Sequence, residues 1–188
     1  MDFINIAITP PECQSPGREA ATIARLLEEE GVDFVHLRHP DLGLREMRRI
    51  LLSLPEACRA RVTIHSCYQL AEEGLCGGVH LMARRRKIPK SIENTRLRVS
   101  RSCHSILEIK KFDVLEDYNY FTLSPIFDSI SKPGYMAAFN EDELRDVLSA
   151  TDTPVIALGG VTPDKTTYLK ELGFNGAALL GHYLPLFS

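Results

Sequence analysis

Eight short runs of apolar, often β-branched residues recur along this chain, and their spacing limits the folds open to it. They cover residues 4–9, 34–38, 62–65, 78–81, 97–100, 118–123, 154–158 and 176–180. The gaps are too long for hairpins, and within several of them the apolar period changes from two to about 3.6. Residues 17–30 place Ile23, Leu26 and Leu27 on one face and stop at Gly31; residues 44–54 gather Met47, Ile50, Leu51 and Leu54 before Pro55. Residues 141–150 and 163–172 also read as helices. The second has Thr162 at the N-cap, Pro163 at the first helical position and Gly173 beyond its end. Strands alternating with helices predict a parallel sheet covered by helices. Eight such units predict a closed (β/α)8 TIM barrel, since a doubly wound sheet needs fewer strands and no GxGxxG follows the first strand.

The chain has 188 residues, or about 23 per unit against about 31 in a typical barrel. One compact domain, 1–188, is therefore expected, and the places where residues are saved are visible. Residues 84–92 are too polar and too short for a good helix. After the eighth strand only residues 182–188 remain, so the final helix is truncated to an apolar tail with Leu184, Leu186 and Phe187. An apolar tail beside a bare barrel wall predicts a second copy covering the seam, a homodimer. With 44% hydrophobic and 25% charged residues, disorder is excluded. No apolar run suggests a membrane span, and the first five residues have neither a basic n-region nor an apolar h-region. The 22 basic and 25 acidic residues leave a net charge of −3, which argues against a nucleic-acid surface. Five cysteines without a CxxC fit reduced thiols and a cytoplasmic location.

Chemistry in such a barrel belongs on the loops after the C-terminal strand ends. Strand seven ends in Leu158-Gly159-Gly160-Val161 and strand eight in Leu180-Gly181. Glycines let backbone N–H groups approach a phosphate; a tight turn is the plainer alternative. The loop after strand six carries Ser129, Ser131 and Lys132, and its length of about 16 residues suits an anion-binding lid. Histidines cluster near strand ends: His36 and His39, His65, His80 and His104. Metal ligation is disfavoured, because there is no HxH after strand one and no Asp after strand eight. His80, inside an apolar run, reads as a core histidine. His104 sits in a turn at the expected active face, where an imidazole can take and return a proton. Arg38 shares a face with His36, and in a lumen it needs an anion: a substrate phosphate or carboxylate, or a neighbouring acid. Arg84-Arg85-Arg86-Lys87 reads as a solvated loop, and Cys67 and Cys103 as small residues near the rim.

In their order along the chain, Val35-His36-Leu37-Arg38, Gly78-Val79-His80-Leu81, Ser102-Cys103-His104-Ser105, the run 124–134 (SPIFDSISKPG) and the run 154–161 (PVIALGGV) resemble the thiamine phosphate synthase superfamily, which also contains the thiazole tautomerases. The resemblance runs from the first strand to the eighth. It departs at three places. The synthases have Gln-Leu-Arg-x-Lys after strand two, where this chain has His36-Leu37-Arg38-His39-Pro40. Their Ile-Asn-Asp after strand three is Ile64-His65-Ser66, and their Gly-Gln-x-Asp after strand four is Met82-Ala83-Arg84-Arg85. The resemblance implies that both magnesium-holding carboxylates and one lysine are missing together. Expelling pyrophosphate leaves negative charge that magnesium usually neutralises.

A tautomerase needs less: it holds a thiazole bearing a phosphate and a carboxylate, removes one proton and returns one elsewhere. The resemblance therefore implies a metal-independent thiazole tautomerase of thiamine biosynthesis. His104 matches the proton shuttle, Arg38, His36, His65, Ser129, Ser131 and Lys132 contact the substrate, and Gly159, Gly160, Leu180 and Gly181 form the phosphate site. The expected partner is a phosphorylated thiazole, with no cofactor. Two alternatives stand: a thiamine phosphate synthase using magnesium, with Asp41 or Asp128 standing in for the lost ligands, and a catalytically impaired member that binds such phosphates as a sensor.

Overall fold

The structure is a computed structural model that describes residues 2–83, 89–92, 95–115, 117–128 and 139–187. Eight parallel strands close into a barrel in sequence order: β1 (Ile4–Ile8), β2 (Phe34–Leu37), β3 (Val62–Ile64), β4 (Gly78–Leu81), β5 (Arg98–Cys103), β6 (Tyr120–Leu123), β7 (Val155–Leu158) and β8 (Gly176–Leu179). Closure is made by β1, which pairs with β2 through Ile6, Ala7 and Ile8 and with β8 through Ile4 to Ala7.

Strand alternation sorts the side chains into two cores. The outward set, including Val35, Leu37, Val62, Ile64, Val79, Leu81, Phe121 and Leu123, packs beneath the helices in one large apolar cluster. The inward set contains a small apolar cluster of Ile6, Ile8, Tyr120, Ile156 and Ala178. Ile4, Phe34 and Leu158 pack against it, and a further inward set is polar yet buried: His36, Thr63, His65, His80, Ser100 and Thr122.

Around the strands run α1 (Pro16–Glu28), α2 (Leu44–Ser53), α3 (Glu56–Arg59), α4 (Gln69–Glu72), α5 (Ile106–Asp113), α6 (Glu141–Ala150) and α7 (Thr166–Leu172). Their ends follow local chemistry. Ser15 caps α1 by accepting from the Arg18 N–H, and Asn140 caps α6 by accepting from Asp142 and Glu143. Gly173 ends α7 in the left-handed region at φ 102°.

Three expectations are corrected. The helix expected over 163–172 begins as a 3-10 turn, Pro163–Lys165, before α7. Strand five runs on to Cys103 rather than ending at residue 100, so Ser102 belongs to the barrel wall and His104 is the first residue beyond it. The helix α5 was not anticipated. Its signal is Ser105-Ile106-Leu107-Glu108, in which the Ser105 hydroxyl accepts from the Glu108 N–H.

The thin connection after β4 contains no helix among its described residues. The chain closes with a 3-10 turn, Leu184–Phe187. That turn lies on α1, where the Thr22 hydroxyl donates to the Leu186 carbonyl at 3.3 Å, and Tyr183 is buried. The apolar tail packs on α1 through Leu186 and Phe187 and leaves Leu184 exposed. Among the described residues, no helix is long and apolar enough to cross a membrane.

Closure also explains one glycine. A Cβ on Gly176 would lie 2.4 Å from the Ile4 carbonyl oxygen and 2.6 Å from Ile156 Cδ1. Gly176→Ala should therefore destabilise the barrel by about 1–3 kcal/mol. The expected result is a lower urea midpoint at unchanged m-value; an unchanged midpoint would show that the seam yields freely.

Candidate active site

The residues facing the lumen from β2 to β6 form two hydrogen-bonded chains. In the first, His36 Nε2 meets the Tyr120 hydroxyl at 2.7 Å and His36 Nδ1 meets His65 Nε2 at 3.0 Å. In the second, His80 Nδ1 meets the Ser100 hydroxyl at 2.8 Å and His80 Nε2 meets the Ser102 hydroxyl at 2.7 Å. The Ser100 hydroxyl also donates to the Val79 carbonyl at 3.4 Å. It must then accept from His80 Nδ1–H, which leaves the lone pair on Nε2. The rings of His65 and His80 stack at 4.4 Å, and those of His36 and His80 lie 5.0 Å apart.

Three imidazoles this close cannot all carry charge. Burial comes first in lowering every one of their pKa values, and neighbouring positive charge adds to it: Arg98 for His36, Arg38 for His65, Arg101 and Arg38 for His80. For His80 the value falls to about 3. The cluster is neutral at physiological pH.

Arg38 is half-buried just beyond β2, with its backbone N–H held by the Thr9 hydroxyl at 2.9 Å. No carboxylate among the described residues lies within ion-pair distance of it. The neighbouring-acid alternative is thus not met among them. His39 points elsewhere: it is buried against Glu19 at 2.9 Å and against the Pro11 carbonyl at 3.3 Å. Glu19 in turn receives the Cys13 thiol, whose pKa burial and that carboxylate push up to about 11.

His104 stands exposed at the rim. Its Nδ1 lies 3.2 Å from both the Ser124 carbonyl and the Ser124 hydroxyl. The carbonyl only accepts, so a proton on Nδ1 satisfies it and leaves the lone pair of the neutral ring on Nε2; the hydroxyl can meet either tautomer. The Glu108 carboxylate accepts from the His104 backbone N–H, which fixes the residue against the start of α5.

At the far side, Gly159 (φ 92°) and Gly160 (φ 61°) turn the chain after β7. A Cβ on Gly160 would meet the Asp128 carbonyl at 2.3 Å, and one on Gly159 the Pro125 Cα at 2.9 Å. The plainer reading of these glycines, a tight turn under a close neighbour, is therefore correct as far as it goes. It does not consume the donors. Among the described residues, no backbone carbonyl accepts from the N–H groups of Gly160, Val161, Gly181 or His182. The Gly160 carbonyl is instead taken by Lys165 Nζ at 2.7 Å, and that ammonium lies 4.0 Å from the Phe127 ring centre. Just beyond β8, Leu180 is half-buried and Gly181 exposed. The run 84–87 and the lid residues Ser129, Ser131 and Lys132 lie outside the described residues.

The arrangement brings together His36, His65 and Arg38 on one wall, His104 beyond β5, and the glycines beyond β7 and β8. Sequence reasoning placed His80 in the core, where it is buried, without its part in the histidine cluster, and missed Ser100, Ser102, Tyr120 and Lys165. For His80 the signal was present, because alternation within residues 78–81 sets it opposite Val79 and Leu81.

A closed parallel barrel with a polar lumen, an exposed imidazole and unengaged N–H groups at its C-terminal rim is the layout of a (β/α)8-barrel enzyme. Comparison with known proteins narrows the class. The family model for thiamine monophosphate synthase matches residues 6–182. An Aquifex aeolicus protein named "Putative thiamine-phosphate synthase 2" is 31% identical, over 87% of this chain and 88% of its own. A thiamine-phosphate synthase of Mannheimia succiniciproducens is 23% identical over 88% of this chain and 80% of its own. Among solved structures, the thiamine phosphate pyrophosphorylase of Bacteroides thetaiotaomicron is 30% identical, with a TM-score of 0.74 over 100% of this chain and 92% of that one. The chain belongs to the thiamine monophosphate synthase family, and so to thiamine biosynthesis.

The neutral lumen cluster has a consequence for stability. In the unfolded chain each histidine titrates near 6.5, whereas in the fold it does so lower. Below about pH 6.5 the unfolded state binds more protons, so stability falls with falling pH, for His80 down to about 3. Each group contributes a slope of up to about 1.4 kcal/mol per pH unit. Urea unfolding of chelator-treated protein between pH 7 and 5 should show this loss, and His80→Gln should make it shallower by about that slope. Equal slopes in both proteins would place the charge change elsewhere.

Proposed function

We propose that the protein is a thiazole tautomerase, moving a proton on a thiazole that bears a phosphate and a carboxylate. The observation that carries this reading is the place of His104: exposed at the rim beyond β5, with Nδ1 3.2 Å from the Ser124 carbonyl, a contact that a proton on Nδ1 satisfies and that leaves the lone pair on Nε2. That is the form a general base requires, and the imidazolium it becomes can return the proton to another ring position. Arg38, with no carboxylate partner among the described residues, anchors one anionic group. The N–H groups of Gly160, Val161, Gly181 and His182 cradle the phosphate across the barrel mouth. His36 and His65 lie beneath the ring as neutral contacts.

The relatives' names favour a second reading, a thiamine-phosphate synthase. The site counts against it. By the resemblance, synthases hold magnesium and pyrophosphate through carboxylates at the ends of strands three and four. Here β3 is followed by His65-Ser66 and β4 by Met82-Ala83. Magnesium demands oxygen ligands, and these positions offer none of carboxylate type, so the donor set does not fit that ion.

Two assays on one preparation separate the readings. Thiazole isomer conversion without added magnesium is expected at enzymatic rates, and thiamine phosphate formation with magnesium is not; the reverse result decides for the synthase. His104→Gln should lower tautomerase kcat about 10²–10⁴-fold while substrate still binds. Turnover equal to the parent would remove His104 from the chemistry.

A further inference from the structure

The lumen cluster has a property that proton transfer at His104 does not use. Among the described residues, His36, His65 and His80 each offer one ring nitrogen, and the three nitrogens lie within 4.8 Å of one another. We propose that these histidines form a three-imidazole site for a zinc-class divalent ion, with its fourth position open toward Arg38 for an anionic oxygen. The site stands apart from the choice between tautomerase and synthase.

Ligand type is the first argument. Neutral imidazole binds first-row transition ions, unlike the carboxylates that suit magnesium. These three rings are buried and held in that form. Geometry is the second. Nitrogens about 2.0–2.1 Å from a tetrahedral ion stand about 3.3 Å apart. His36 Nδ1 and His65 Nε2 are already 3.0 Å apart, and His80 reaches them by exchanging its Ser102 contact for the ion.

The supporting contacts are the third. A ligating histidine commonly donates its other N–H to a fixed acceptor, which sets tautomer and ring orientation. His80 Nδ1–H is on Ser100, and His36 Nε2 is on Tyr120. The opposite wall, built from Ile6, Ile8, Ile156 and Ala178, is apolar. It supplies no fourth ligand, so that position falls to solvent or to a ligand oxygen, as in open three-histidine sites. Arg38 adds positive charge next to the rings. A bare dication would be repelled there, and an anion bridging ion and guanidinium removes the repulsion. Metal and anion should therefore bind with positive coupling.

Cobalt(II), added to chelator-treated full-length protein, is the probe. One ion per chain is expected, with the visible absorption of a four- or five-coordinate ion and no thiolate-to-cobalt band. Proton NMR of that complex should show at least two hyperfine-shifted, exchangeable imidazole N–H signals, from His36 and His80. His65→Asn and His80→Gln should each weaken cobalt binding more than about 100-fold. If neither variant folds, the N–H signals of the parent protein decide. Inorganic phosphate should change the visible spectrum and tighten cobalt binding.

Absence of binding at millimolar cobalt or zinc would overturn the site. So would a thiolate band abolished by Cys13→Ser, which would move the ion to Cys13, Glu19 and His39. A spectrum indifferent to phosphate would overturn the open fourth position.

Discussion

Pairing β1 with β8 turns a sheet into a closed wall, and everything distinctive about this protein follows from having to fill the inside of it. Half of every strand must face the lumen. Strands β1, β7 and β8 fill their share with Ile6, Ile8, Ile156 and Ala178. Strands β2 to β6 bring imidazoles, hydroxyls and a phenol. Polar groups taken out of water cost stability unless they find partners. For the imidazoles, the phenol and the two serines, the chains through Tyr120, His36 and His65, and through Ser100, His80 and Ser102, supply them. The interior is split lengthwise into an apolar half and a hydrogen-bonded half, and the second ends at the rim where chemistry is done.

The rim inherits its order from that wall. His104 is the first residue beyond β5, and its ring is set by Ser124, just beyond the neighbouring strand β6. Those two strands are in register through Cys103 and Leu123. A slip in their pairing would remove the Ser124 carbonyl and hydroxyl that hold the His104 ring. The glycine turn is held in a similar way, by the close approach of Pro125 and Phe127 and by Lys165. Strands position His104; packed loops position the N–H donors.

How much of this was legible in the sequence depends on which rule each feature obeys. The eight strands could be found because each is a short apolar run between turn signals, and His36 with Arg38 because alternation puts them on one face. His80 obeys the same alternation but was hidden by its surroundings, since Val79 and Leu81 make the run look like plain core. Its significance lies in closure, which sets β4 beside β3 and β5 and so joins residues far apart in the chain. No local pattern reports that His65 and His80 stack. The resting place of the apolar tail was hidden for a related reason. Leu186 and Phe187 do need cover, but α1 provides it, and only the tertiary fold shows that the first helix lies beside the last turn.

The lost carboxylates and the gathered histidines are best understood together. A synthase-like rim has to hold a hard cation and a leaving pyrophosphate, which calls for carboxylate oxygens at the mouth. In this chain β3 is followed by His65 where the resemblance places a carboxylate segment, and the imidazoles of His36 and His80 lie against it. Such a donor set repels magnesium chemistry and favours neutral or transition-metal chemistry. It also removes negative charge from beside Arg38, leaving the guanidinium without a carboxylate partner among the described residues. A site that keeps the phosphate donors and the arginine, but gives up the carboxylates, is biased toward binding a doubly anionic substrate and against expelling an anion from it. The proposed tautomerase reading rests on that balance: a proton moved within the substrate, with His104 at the edge, asks for no carboxylate-held magnesium.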